Sequence, residues 1–300
     1  MSGGHSHGAG SHAGGRHRWR LAVAFGLVGA FFGVELAAGL VSGSLALLSD
    51  AGHMAADVVT LGAALVATRI AARPDTTGRR TFGSYRAEVF ASGLAVLVMT
   101  GVSVYVVVEA VARVGAEPAV ASTAMFVVGG LGLVVNLVAL ALLRGGAGES
   151  LNVKGAYLEV VADTVGSVGV VVAGVLVATT GSALWDTAVA LAIGVFVLVR
   201  AVHLGREVLA VLGQHAPAGV VPDEVLRALE SVEGVGDVHD LHVWTLTSGM
   251  DVATAHLVAS GDGDRVLAEA STLLRERFGI AHATLQVETV ENHHCQGVDW

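Results

Sequence analysis

The chain is poor in charge, in proline and in cysteine, and it has no excess of basic residues. Charged side chains make up 14% of its 300 residues, against roughly 25% in soluble globular proteins. A single cysteine, Cys295, excludes an internal disulfide. A formal charge of −9, from 17 basic and 26 acidic residues, argues against a nucleic-acid partner. Only 4 prolines are present, which leaves room for long unbroken helices. There is no Walker-type glycine loop, so ATP drive is unsupported and no enzymatic activity is expected. The N-terminus lacks the pattern of a secretory signal: residues 1–17 are rich in Gly, Ser and His, and read as a disordered cytosolic tail.

What is abundant is apolar. Hydrophobic residues reach 53% and the mean hydropathy is +0.68. A soluble domain of this length cannot hide that much apolar surface, but lipid can. Six stretches are long enough to cross a bilayer, at about 20 residues each: 19–41, 44–71, 87–113, 119–143, 151–179 and 184–204. The 40 glycines lie mostly within these runs and suit a closely packed bundle. Six spans put both termini on one side. Nearly all Arg and Lys fall on that side, with Arg144, Lys154, Arg200 and Arg206 among them, and only Arg113 on the other. The positive-inside rule therefore places both termini in the cytosol. Trp19 and Trp185 read as interfacial anchors.

Past Arg206 the composition turns soluble and acidic. Pro222, Asp223 and Glu224 open a helix, with acids where the helix dipole favours them. Residues 235–246 and 251–259 alternate like a hairpin turned near Ser248 and Gly249. A second helix follows from Asp262, and 282–290 reads as a third strand. The fold class is thus an all-α six-helix transmembrane domain (18–206) with a C-terminal α+β domain of order αββαβ (207–290) and a tail (291–300).

Two spans carry ionisable residues in pairs. His53 and Asp57 share a face of the second span, and Glu159 and Asp163 repeat the spacing in the fifth. A charge at the bilayer centre costs about 2.5–3.5 kcal/mol on the lenient insertion scale. No basic residue is expected at that depth, so a bound cation is the natural compensation. If the two antiparallel spans pack, His53 comes level with Asp163 and Asp57 with Glu159, giving the four ligands of a tetrahedral zinc site. The alternative is a set of buried acids, neutral or hydrogen-bonded to neighbouring helices. One imidazole and three carboxylates would accept zinc, cadmium or cobalt. Metal and proton compete for such ligands, and in a bundle of alternating access this becomes antiport, with His53 the expected proton carrier. Asp50 either lines the outward path or sits near the outer interface. Glu35 and Asn136 either line a wet cavity or bond between helices. Glu109 and Arg113 form an i,i+4 ion pair.

The C-terminal domain offers His239, His242, His256 and His282 with Asp240 and Glu288. On a regular strand His239 and His242 point to opposite faces, while His282 and Glu288 share one. The expected second site is His239, His256, His282 and Glu288, with His242 auxiliary. His293, His294 and Cys295 in the C-terminal tail, and His5, His7, His12 and His17 in the N-terminal one, either capture metal weakly or play no part. A membrane-anchored metal sensor and a metal-gated proton pathway are the rival readings.

The set of motifs is specific: SLALLSD at 44–50 leading into His53 and Asp57, RTFGSYR at 80–86, LNVKGAYLE at 151–159, and HDLHVW at 239–244. Together they resemble the cation diffusion facilitator family, in its bacterial cobalt–zinc–cadmium resistance branch. The resemblance implies a homodimer, a metallochaperone-like cytosolic domain, and metal–proton exchange with one transport site per protomer. It implies Zn2+ as substrate and as a ligand of the cytosolic domain that steadies the dimer, with no obligatory cofactor. Glu159 stands where zinc-selective members commonly carry His, which favours a broader set including cadmium and cobalt.

Overall fold

The computed structural model describes residues 14–71, 79, 81–84, 86–113, 121–145, 151–247 and 249–289. Six long helices come first: α1 (Gly14–Ser42), α2 (Leu45–Ala71), α3 (Ala87–Ala112), α4 (Ser122–Arg144), α5 (Leu151–Thr180) and α6 (Leu184–Leu212). None of the prolines falls inside them. The rest forms α7 (Pro222–Glu230), β1 (Val235–Thr247), β2 (Met250–Ala259), α8 (Gly263–Phe278) and β3 (His282–Glu288). Two compact units result.

In the helical unit the polarity is inverted. Leu97 is 71% exposed and Val165 69%, while Glu35, Asp50, His53, Asn136 and Asp163 are buried. Apolar surface outside and polar groups inside is the pattern of a bundle solvated by lipid. Five helical segments are long and apolar enough to cross a membrane: Ala22–Ser42, Ala87–Ala112, Ser122–Arg144, Tyr157–Thr180 and Leu184–Leu212. The expected sixth, α2, is not among them. It is the helix that carries Asp50, His53 and Asp57, and its side chains are described only to residue 59.

One end of the bundle is fastened by charge. Asp186, in the first turn of α6, is fully buried. It accepts from Ser44 Oγ at 2.6 Å, from the Leu45 amide at 2.8 Å and from the Ala46 amide at 3.1 Å. These are donors that the start of α2 cannot satisfy within its own helix. Arg113 approaches Asp186 at 3.6 Å, bonds Glu109 at 3.1 Å and donates to the Gly43 carbonyl at 2.9 Å. The expected Glu109–Arg113 pair is therefore part of a larger clamp on the α1–α2 turn.

The C-terminal unit is two-layered. β2 pairs antiparallel with β1 and parallel with β3, giving sheet order β1-β2-β3. Pro222 occupies the first turn of α7, where its missing N–H costs nothing. Asp262 caps α8 by accepting from the Asp264 and Arg265 amides, and Gly279 ends it at φ 72°. Ala253, Ala255 and Leu257 of β2 join Val225 and Leu229 of α7 and Val266, Ala270 and Leu274 of α8 in one apolar core. The other face of the sheet carries His239, His242, His256 and Glu288 together with apolar Trp244 and Val252.

A bulge in β1 reverses an expectation. His239 pairs with His256, and His242 with Thr254, so three steps along β1 match two along β2. Asp240 absorbs the extra residue at φ 52°. Val238 and Val243, five apart, both enter the core, and His239 and His242 both take the opposite face. The regular-strand rule that separated them fails because the strand is irregular at that point.

Candidate metal centres

α2 and α5 run antiparallel through the bundle. Asp50 packs against Gly166, where a Cβ would sit 2.5 Å from Oδ1. One turn on, His53 Nε2 lies 3.3 Å from Asp163 Oδ1, and 3.9 Å from Asp57 Oδ2 of its own helix. A ligand atom from each of His53, Asp57 and Glu159 falls within 4.8 Å of the other two. Every step along α2 is met by an equal step back along α5, which brings two i,i+4 pairs to one place. Exposure falls with depth: the side chain of Glu159 is 32% exposed and Asp57 13%, but Asp163 4% and His53 2%.

The cluster has a member that the sequence reading placed elsewhere. Arg200 of α6 pairs with Glu159, donates to His53 Nε2 at 3.2 Å and lies 3.9 Å from Asp57. The expectation that no basic residue reaches this depth is corrected. Arg200 lies just past the middle of α6, and its long side chain turns inward to the carboxylates. The only signal for it in the sequence is an arginine within an apolar span.

Of the auxiliary residues, Asp50 is buried rather than interfacial. Asn136 donates from Nδ2 to Ser167 Oγ at 3.2 Å, joining α4 to α5, and Glu35 is fully buried on α1. Trp185 is 42% exposed, as an anchor requires. His5, His7, His12, the side chains of His17 and Trp19, and His293, His294 and Cys295 lie outside the described residues.

The face of the C-terminal sheet away from its core gathers a second cluster. His256 Nδ1 is 3.1 Å from Glu288 Oε1, and His239 Nε2 is 3.8 Å from Glu288 Oε2. The two imidazoles stack edge to face, 5.2 Å between centroids. Ligand atoms of these three lie within 4.8 Å of one another. Asp240 approaches from the bulge, 3.9 Å from His256 and 3.0 Å from His242. His282 stands apart. It pairs with Val252 at the other end of β3, against the ring of Phe82. It shares a face with Glu288, but six residues of strand separate them by about 20 Å.

Residues 21–212 match the cation efflux transmembrane domain, and residues 217–290 the cation efflux protein cytoplasmic domain. The chain belongs to the cation efflux family. It is a multi-pass membrane transporter with a cytoplasmic C-terminal domain, and not an enzyme. The chain is 43% identical over 291 residues to the cation efflux system protein CzcD of Alcaligenes sp. strain CT14, covering 96% of this chain and 90% of that one. It is 33% identical to the cadmium, cobalt and zinc/H(+)-K(+) antiporter of Bacillus velezensis, over 97% and 94% of the two chains. It is also 33% identical to the zinc transporter ZitB of Escherichia coli, over 93% and 89%. A solved metal-bound C-terminal domain of the CzcD transporter from Cupriavidus metallidurans matches 23% of this cation efflux chain and 99% of that domain, at 38% identity and a TM-score of 0.22.

Proposed function

We propose that this cation efflux protein exports divalent transition metals, zinc first and cadmium and cobalt with it, in exchange for protons by alternating access. The carrying observation is the convergence of His53, Asp57, Glu159 and Asp163 from two helices inside an apolar bundle. These four are the transport site. The donor set has no thiolate to trap a soft metal, and it must lose protons to bind. His53 is the group that takes the returning proton. Six spans, α2 included, complete a membrane domain over residues 18–206 with both termini cytoplasmic, and the metal-binding domain over 207–290 joins two copies into a homodimer. The resemblance of this chain to an antiporter named for cadmium, cobalt and zinc and to a zinc transporter supports the cargo.

The deciding experiment is competitive uptake of zinc, cadmium, cobalt, manganese and iron into proteoliposomes, with internal pH recorded. Saturable zinc, cadmium and cobalt flux that consumes an imposed proton gradient is expected. Ionic current without coupling would replace the exchanger with a channel.

The cytoplasmic cluster of His239, His256 and Glu288 holds a regulatory zinc, with Asp240 at its edge. A ligand that binds only the folded form adds about 3 kcal/mol of stability at a hundredfold excess over its Kd. Added zinc is therefore expected to raise the unfolding temperature of the full-length protein's C-terminal domain. H239A and E288Q should each remove at least half of that rise, whereas H282A should leave it unchanged. Equal zinc shifts in H239A and the unaltered protein would dismiss this site.

A further inference from the structure

We propose that Arg200 is a tethered cation that shares the transport site's carboxylates with the metal and sets how tightly the metal is held. The inference rests on the transport site proposed above and adds a residue to it.

The geometry is that of a competitor. The Arg200 guanidinium engages Glu159, Asp57 and His53 Nε2, three of the four groups a metal would use. The Nε2 lone pair that accepts from Arg200 is the one an imidazole gives to a metal. Arginine keeps its charge at any physiological pH, so it cannot withdraw by deprotonating. It withdraws by swinging, and its side chain is 30% exposed, on the less buried flank where Glu159 also lies. α6 runs on from Arg200 towards the cytoplasmic domain, so that flank is the cytoplasmic one.

Charge supplies the second argument. His53 is neutral when it ligates. Asp57, Glu159 and Asp163 with Arg200 carry a net charge of minus two, the complement of one divalent ion. Without Arg200 the site would be left at minus three around the same ion, in surroundings where attraction is far stronger than in water. A transporter must release what it binds, and the extra carboxylate would slow release.

The test is zinc uptake by the full-length protein in proteoliposomes, comparing the unaltered protein with R200Q, E159Q, R200K and the double variant R200Q/E159Q. R200Q is expected to lower KM and turnover together, each by about tenfold. E159Q loses a ligand and is itself impaired, but in that background the Arg200 substitution is expected to change KM by no more than about threefold, a coupling typical of charges in contact. A merely structural arginine would lower turnover without tightening KM, and by the same factor in both backgrounds. R200Q with KM unchanged or raised, or an R200Q effect on KM that is the same with and without Glu159, overturns the proposal. Should R200Q fail to reach the membrane, R200K decides. Retained charge predicts a KM within about threefold of the unaltered protein, and a KM as low as that expected of R200Q overturns the charge argument. Absence of zinc flux in the unaltered protein would bring down the transport reading itself, a different outcome from flux that R200Q leaves alone.

Discussion

Asp57→Asn and Asp163→Asn, made singly, are expected to cut zinc efflux by at least about a hundredfold while the protein still reaches the membrane. Asn preserves the volume and one acceptor oxygen of Asp, so packing is nearly untouched. What is lost is one full charge facing a divalent ion in a site shielded from water. Roughly 3 kcal/mol of lost binding is enough for a hundredfold effect, and one charged ligand in such surroundings supplies that much. Stability should move the other way. Asp163 is buried and its Oδ1 faces His53 Nε2 at 3.3 Å, an atom that accepts from Arg200 and so has no proton to give, which makes the carboxylate a burden on the fold. The amide variants should unfold at the same temperature as the unaltered protein or higher. Lost flux with undiminished stability marks a ligand, and lost flux with lost stability marks a scaffold residue. Either variant transporting zinc at the normal rate would remove that residue from the site. Proteoliposome flux and scanning of thermal unfolding on the same preparations give both numbers.

The charged pairs were legible in the sequence because lipid makes them conspicuous. A carboxylate in a run of Val, Ala and Leu has no cheap structural purpose, and the i,i+4 spacing fixes a common face without knowledge of the fold. The antiparallel match of α2 with α5 followed from span counting. Arg200 was not legible, because hydropathy assigns a residue to a depth by its Cα, whereas an arginine side chain spans more than a helical turn and can point either way. In the C-terminal domain, the order αββαβ could be read from Pro222, Asp262 and the alternating runs. The bulge could not. Asp240 at φ 52° is a conformation rare outside glycine, and nothing local announces it. It shifts the parity of β1, so His239 and His242 share a face that a regular strand would deny them. His282 shows the complementary limit: alternation tells which face a side chain takes, but not how far along the sheet its neighbours lie.

Asp186→Ala is expected to lower the unfolding temperature of the membrane domain by about 10 °C and zinc turnover by at least about tenfold, although Asp186 is not among the proposed metal ligands. Its carboxylate answers three donors at the start of α2 and faces Arg113 in a fully buried position. Alanine would leave those donors without a partner and Arg113 short of one. Breaking a buried pair in this way costs roughly 3–5 kcal/mol. The effect reaches the transport site because Asp50, His53 and Asp57 ride on α2 within the next four turns. A frayed start lets the helix slide or rotate, and a four-ligand site tolerates little misplacement. Asp186→Asn keeps part of the cap without the charge, since its one carbonyl oxygen can still accept from the Leu45 or the Ala46 amide, which in the unaltered protein bond to different oxygens, but it no longer neutralises Arg113. It should fall between the other two in both stability and turnover. D186A with unaltered stability would show that α2 is held by its packing alone. D186A that is destabilised yet transports normally would show that the height of α2 does not govern the site.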